Sequence, residues 1–297
     1  MRVRFGGIEL GHTSGKPGDV LIENFDGSYS EIRSSDVARE GTDGVMPGRD
    51  FFGARTMSFD VATNRSTMRD ARETLAALLY AWRDASIRSA PGVLVPLDYQ
   101  AVDDDRWRRV YGRPRRADDG DFGVLMRQGL GRVTLEFEVM DHRSFDGGPD
   151  GERSVTVGQV EGSVGGGWSF PATFPLAGSA ISGTRAGSVS VGGDAPSPAL
   201  IEFRGPGQGF QLRGNRNWHV GLKSSVILAD DEVITIDPFR GMVTDNFGNR
   251  RFAALDRRTP LTGVELSPGV ENVFFSAVDQ TRRAHAVIRW RDAYLSL

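Results

Sequence analysis

The sequence contains no cysteine. That excludes disulfide scaffolds, cysteine nucleophiles, zinc sites built on thiolates and iron–sulfur clusters. Histidine is scarce: His12, His142, His219 and His285 stand far apart, and none sits in a metal-binding spacing. Each reads as a surface or strand residue rather than a ligand. No run of about 18 apolar residues occurs, so no membrane-spanning helix is expected. The opening stretch, MRVRFGGIEL, lacks the apolar core and small-residue cleavage site of a signal peptide, and folding in a cytoplasm is the expectation. Lysine is nearly missing as well. Only Lys16 and Lys223 occur, and every other basic residue is arginine, a usage that fits a GC-rich genome.

An excess of one charge is also lacking. The net charge is −3, with 21 basic against 25 acidic residues up to position 150 and 15 against 14 after it. Neither half is a basic nucleic-acid module, and no partner bound mainly through phosphates is implied.

What is present is a turn-rich globular composition, 39% apolar and 25% charged with 38 glycines, on a chain whose length suits two average domains. One segment is helical: Thr67 to Asp84, where Met68, Ala71, Leu75, Leu78, Leu79 and Trp82 share a face at helical spacing. Ser66 or Thr67 can cap it, and Asp70 falls in the first turn, where the helix dipole favours an acid. Most of the rest alternates as strand. RVTLEFEVM sends Val133, Leu135, Phe137 and Val139 to one side and Arg132, Thr134, Glu136 and Glu138 to the other, which marks an antiparallel strand with one wet face. Shorter runs follow at SVTV, SVSV, ALIEF, SVILA, VITI, NVFF and HAVIRW. Gly, Pro, Asn and Asp clusters separate them, as in a β-sandwich. The polar stretch Asp141–Ser154 reads as a boundary. Gly165–Gly167 reads as a flexible connection that Trp168, Phe170 and Phe174 could anchor. The expectation is a mainly β protein of two domains, 1–148 with a helix near 67–84, and 149–297.

Chemistry is hard to find. GHTSGKPGD has one residue too few between its glycines for a phosphate loop, and Pro17 stands where the magnesium-binding hydroxyl belongs. No G-x-S-x-G elbow occurs, and GPGQGF misses the dinucleotide pattern. The acids Asp103–Asp105 and Asp118, Asp119 and Asp121 lack the spacing and closing glutamate of an EF-hand loop. RWRRVYGRPRR, Arg106 to Arg116, interleaves arginine with Trp107 and Tyr111 in a way that can bind single-stranded nucleic acid. Acidic runs flank it, however, so a strand pairing its arginines with neighbouring or partner acids is the stronger reading. Asp237 and Arg240, in VITIDPFRGMVTDNFG, look like an acid–base pair and read instead as a hairpin corner: Pro238 ends one strand and Gly241 starts the return. No catalytic, cofactor-binding or metal-binding residue is assigned, and no cofactor is expected.

Two stretches carry a resemblance. One is GRDFFGARTMSFDV, Gly48 to Val61, followed at once by the single helix. The other is the ordered set PALIEF, VILADDEVITIDPFRGMV, LTGVELSPGVENVFF and AHAVIRWRDAYLSL. Asp231, Glu232, Ile234, Ile236, Asp237, Arg240, Leu266, Pro268, Gly269 and Asn272 supply its pattern of strands and turns. This order resembles the distal tail proteins of long-tailed bacteriophages, and the closing WRDAYL resembles members from phages of actinobacteria. The glycine-rich stretch Glu161–Gly193 does not align with the family. The resemblance implies a structural protein of the virion tail tip, assembled in the host cytoplasm. Six copies would form a ring joining the tail tube to the baseplate or tail tip, with tail tube, tape measure and baseplate proteins as partners. It further implies an N-terminal β-sandwich or split-barrel-like ring domain and an outward galectin-like β-sandwich. The competing reading is a carbohydrate-binding module for host glycan, with Trp168, Trp218 or Trp290 stacking on sugar. Trp290 alternates in phase with core positions, and Trp218 is the better sugar candidate, although packing at a strand start is favoured for it. A tail-associated hydrolase comes third.

Overall fold

The computed structural model describes residues 1–11, 20–27, 30–89, 91–102, 104–118, 124–158, 186–216, 218–261, 263–279, 281 and 283–295. His12, Lys16, Pro17, Asp103, Asp119, Asp121, Trp168, Phe170, Phe174 and most of the glycine-rich stretch lie outside them. The chain is mainly β, and its contacts divide it into two compact units. Unit 1 is Met1–Gly151 with Tyr294–Leu297, and unit 2 is Glu152–Ala293.

Unit 1 begins with β1 (Arg2–Phe5), β2 (Ile8–Leu10) and β3 (Val20–Gly27). Four two-residue strands follow: β4 (Ile32–Arg33), β5 (Val37–Ala38), β6 (Val45–Met46) and β7 (Phe51–Phe52). Then come β8 (Arg55–Thr63), α1 (Met68–Trp82), α2 (Ala85–Ser89), β9 (Val95–Gln100), β10 (Arg108–Ala117), α3 (Val124–Arg127), β11 (Arg132–Val139) and β12 (Ser144–Asp146). The main sheet runs β2-β1-β9-β10-β11-β8-β3, with β12 against the start of β10. Its pairs are antiparallel, and it curls far enough for its two ends to meet, where the Gly11 amide donates to the Val20 carbonyl at 2.7 Å.

The alternation of β11 explains how this curl makes a core. Val133, Leu135, Phe137 and Val139 are all buried among Phe5, Met57, Phe59, Leu97 and Val110. The opposite face is wet, and Arg116 reaches Glu136 across it at 3.4 Å. Helix α1 closes the core. Thr67 accepts the Asp70 amide at 3.1 Å as its cap, and Ala71, Leu75, Leu78 and Trp82 turn inward. Trp82 packs 4.7 Å from Phe5 and donates its indole N–H to the Arg116 carbonyl. Burying each large apolar side chain of this face stabilises the unit by about 1.5–3 kcal/mol. Spacing groups Met68 with that face, but the structure leaves it exposed, because the first turn overhangs the buried stripe that begins at Ala71. Two short helices, α2 and α3, join the expected one.

Unit 2 contains β13 (Glu152–Gly158), β14 (Ala186–Val191), β15 (Ser197–Pro198), β16 (Leu200–Arg204), β17 (Gly207–Gly214), β18 (His219–Gly221), β19 (Ile227–Leu228), β20 (Val233–Asp237), β21 (Met242–Asp245), β22 (Glu265–Leu266), β23 (Gly269–Val278) and β24 (His285–Arg291). One sheet runs β13-β24-β16-β20-β21, and the other runs β14-β23-β17-β18 with β19 on β17. Each contributes one apolar face to a shared core. Ile201, Phe203, Ile234, Ile236, Ile288 and Trp290 come from the first sheet, and Val189, Phe210, Leu212, Val273 and Phe275 from the second. This is the packing of a β-sandwich.

Candidate assembly surface

The pair Asp237 and Arg240 forms a hairpin corner. Register places Asp237 opposite Met242, the Arg240 amide donates to Asp237 Oδ1 at 3.0 Å, and Gly241 takes φ +62°. The two charges are 3.7 Å apart with Arg240 partly in water, so the acid's work is to hold a turn amide. The next turn, DNFG, is built the same way. Asp245 accepts the amides of Phe247 and Asn249, the Asn249 side chain and Arg251 Nε, all within 3.1 Å. Burial pushes this carboxyl up, but the hydrogen bonds from Asn249, Arg251 and Phe247 outweigh it and hold it below its ordinary value.

The arginines of 106–116 are paired within the chain. Arg109 grips Asp98 with two hydrogen bonds of 2.6 and 2.8 Å, and this bonding drives its pKa upward. Arg115 meets Glu138, Arg116 meets Asp118 and Glu136, and Arg106 meets Asp104. Little of this basic stretch is left to bind phosphates.

At one end of the unit 1 core lies a polar cluster that sequence reading missed. Arg55 and Arg108 are each more than nine-tenths buried, and both have a buried Nε without a hydrogen-bond partner. Arg108 reaches Asp146 at 3.5 Å and stacks over the Tyr294 ring at 3.5 Å. Among the described residues, no carboxylate forms an ion pair with Arg55. Tyr99 lies beside both arginines. Burial raises its pKa, and the positive charge of Arg55 offsets part of the rise.

The remaining candidates also resolve into structure. Trp218 is 5% exposed and Trp290 is 6% exposed, so neither offers a ring to a sugar. His285 bonds the Arg283 carbonyl, and His142 lies 3.4 Å from Asp141. His219 is pushed down by burial and by the charge of Arg213. Among the described residues, no group of three or more His, Cys, Asp or Glu is placed to hold a metal. No helix of the described residues is long and apolar enough to cross a membrane.

One segment of unit 1 contributes no side chain to its hydrophobic core. Between β3 and β8 the chain leaves the sheet as a hairpin arm in which Ile32 faces Phe52 and Val37 faces Met46. The Arg39 amide closes the tip on Gly44, and Ser35 and Asp36 tie the two limbs through Arg49 and Gly48. Every residue from 31 to 52 is exposed, including Ile32 at 63%, Val37 at 59% and Phe52 at 56%. At the root, Phe52 stacks on His142 with ring centroids 4.5 Å apart. Ile32 and Phe52 share one face of the ladder, and Phe51, opposite Arg33, is on the other. Both faces therefore carry exposed apolar side chains. A two-stranded ribbon is marginal alone in water, and an exposed apolar surface of this kind marks an interaction site.

No protein-family model matches the sequence, and no curated protein does. Solved structures do match in fold. The SPP1 Dit (gp 19.1) protein, described as a paradigm of the hub adsorption apparatus in phages infecting Gram-positive bacteria, aligns with a TM-score of 0.57 at 15% identity over 98% of each chain. A chain of the phage P2 baseplate in its activated conformation with calcium aligns at 0.51 and 11% identity, over 97% of this chain and 96% of that one. A chain of the strontium form of that baseplate aligns at 0.52 and 12% identity over the same shares.

Proposed function

We propose that this protein is a structural subunit of a long-tailed phage virion, a distal tail protein whose ring joins the tail tube to the baseplate or tail tip. The observation that carries this reading is the end-to-end likeness to SPP1 Dit, which spans 98% of both chains and so covers both units rather than one common sandwich. The side chains support it. Among the described residues, Asp237, Asp245, Arg109 and Trp218 are used to hold turns and strands, and residues 31–52 expose Ile32, Val37, Val45, Met46, Phe51 and Phe52.

In this reading unit 1 forms the ring and unit 2 is the outward galectin-like domain. The ring has six copies, tail tube, tape measure and baseplate proteins are its neighbours, and the host is an actinobacterium. A closed ring uses one heterologous contact repeated around an axis, so each subunit needs a donor surface and a different acceptor surface. The test is the mass and shape of the purified protein by light scattering and electron microscopy, where a ring of about six subunits is expected. A monomer at every concentration would sink the proposal.

A further inference from the structure

We infer that Arg55, Arg108 and Tyr99, at one end of the unit 1 core, form a binding site for a small inorganic oxyanion of the phosphate or sulfate type. The site belongs to a single copy of the chain and does not depend on the ring reading above.

The sequence places both arginines where apolar side chains belong. Arg55 opens β8 in phase with Met57 and Phe59, and Arg108 opens β10 in phase with Val110, all of them buried. Tyr99, next to the end of β9, is in phase with Leu97 and stands directly opposite Arg108. Antiparallel register brings the start of β8, the end of β9 and the start of β10 to one rim of the sheet. The three side chains enter the unit from that rim, and the charges of both arginines act on the Tyr99 hydroxyl. Arg55 Nε, Arg108 Nε and the Tyr99 hydroxyl oxygen are each buried without a hydrogen-bond partner among the described residues. Buried polar groups are nearly always satisfied, and a cluster that is not points to an ion.

Charge selects an anion. A guanidinium keeps its proton when buried, so a negative group must meet it. The acids of this region are largely committed. Both oxygens of Asp98 hold Arg109, and both oxygens of Asp141 hold Arg143. Asp104 feels the charge of Arg108 but is held by Arg106. Asp146 reaches Arg108 only at 3.5 Å, and Arg55 has no carboxylate among the described residues. Two buried guanidiniums thus share one distant acid.

Geometry selects an oxyanion. The Tyr294 ring covers the face of the Arg108 guanidinium at 3.5 Å, which leaves in-plane N–H donors to meet oxygens. Planar guanidinium forks match the oxygens of phosphate or sulfate, and the phenol supplies a further donor. Burial selects a free ion. Both arginines are more than nine-tenths buried, so a carboxylate carried by another protein would have to push its backbone into the unit to reach them.

An ion that binds only the folded chain raises its unfolding midpoint. The full chain in Tris–chloride buffer, titrated with sodium phosphate while sodium chloride keeps the ionic strength constant, should show a saturable rise. At ten times the dissociation constant that rise should be about 3–6 °C. Arg55→Met should be at least as stable as wild type without phosphate and should lose the rise. Tyr99→Phe, which keeps the ring, should still show it but only at several-fold higher phosphate, and Arg240→Ala in unit 2 should respond as wild type does. A wild-type midpoint that ignores phosphate, a rise that sodium chloride reproduces, or an equal rise in Arg55→Met overturns the inference. So does an unchanged phosphate requirement in Tyr99→Phe.

Discussion

Inside unit 2 the indole N–H of Trp218 donates to a carboxylate oxygen of Glu271 at 2.6 Å, with both side chains closed off from water. The other oxygen accepts the Ser267 amide at 3.3 Å. The tryptophan that looked most available to a sugar is thus committed to neutralising the polarity of a buried acid, and a hydrogen bond to a charged group is worth about 1.5–3 kcal/mol. Trp218→Phe should lose about that much in denaturant unfolding, and Glu271→Gln, which keeps an acceptor oxygen, should lose less.

The corner at Asp237 makes a smaller prediction. Asp237→Ala removes the acceptor for the Arg240 amide and should cost about 1 kcal/mol. Arg240→Ala should be within about 0.5 kcal/mol of wild type, since its ion pair is long and solvent-facing. Equal losses from the two would mean that the charge pair, rather than the turn amide, holds the corner.

Acid should attack unit 2 through two turns. Asp279 accepts the amides of Ala284, Thr281 and Arg283 and the Thr281 hydroxyl, all within 2.8 Å. Burial raises its pKa, but these bonds outweigh it, and the net shift is downward, as for Asp245. A carboxyl lowered in the folded state binds its proton more readily when unfolded. Its contribution is therefore fully present above the ordinary carboxylate pKa of about 4 and is lost as pH falls through the lower folded value. Unfolding midpoints measured from pH 7 to pH 2 should fall mainly below pH 4, and Asp279→Asn should flatten that fall.

The two buried arginine sites of unit 1 should behave in opposite ways. Arg109 shares two short bonds with Asp98 at a mostly buried site, and Arg109→Met would strand the acid at a cost of about 3–5 kcal/mol. Arg55 has no acid to strand among the described residues, so Arg55→Met should leave stability unchanged or raise it. Chemical denaturation of both variants checks the contrast, and a large loss at Arg55 would refute it.

Much of this fold is legible from periodicity alone. The helical face from Ala71 to Trp82 and the alternation of Val133 to Val139 are each written in their own segment, and a cap such as Thr67 needs only its three following residues. The hairpin at Asp237 is equally local, because proline and glycine fix its ends. What local pattern does not carry is pairing chosen by the rest of the chain. Nothing near Gly11 or Val20 says that these residues will join the two ends of a sheet. Nothing near Arg55 says that a strand-starting arginine will be buried. The arm escaped notice because its apolar residues come as singles and pairs, Ile32, Val37, Val45–Met46 and Phe51–Phe52, with no period of 2 or 3.6. That scatter was itself a signal, since bulky apolar side chains in a stretch too irregular to build a core must find a surface elsewhere.

The stacking of Tyr294 over Arg108 also has a bearing on timing. All of unit 2 lies between the bulk of unit 1 and the residue that covers Arg108. At about 5–20 residues per second, a ribosome needs on the order of 10 s to cross that interval. During synthesis the first unit must wait with this arginine uncovered, and it gains its last aromatic contact only after the second unit has been made. A nascent chain paused within unit 2 should therefore show Arg108 open to labelling, while the released protein protects it.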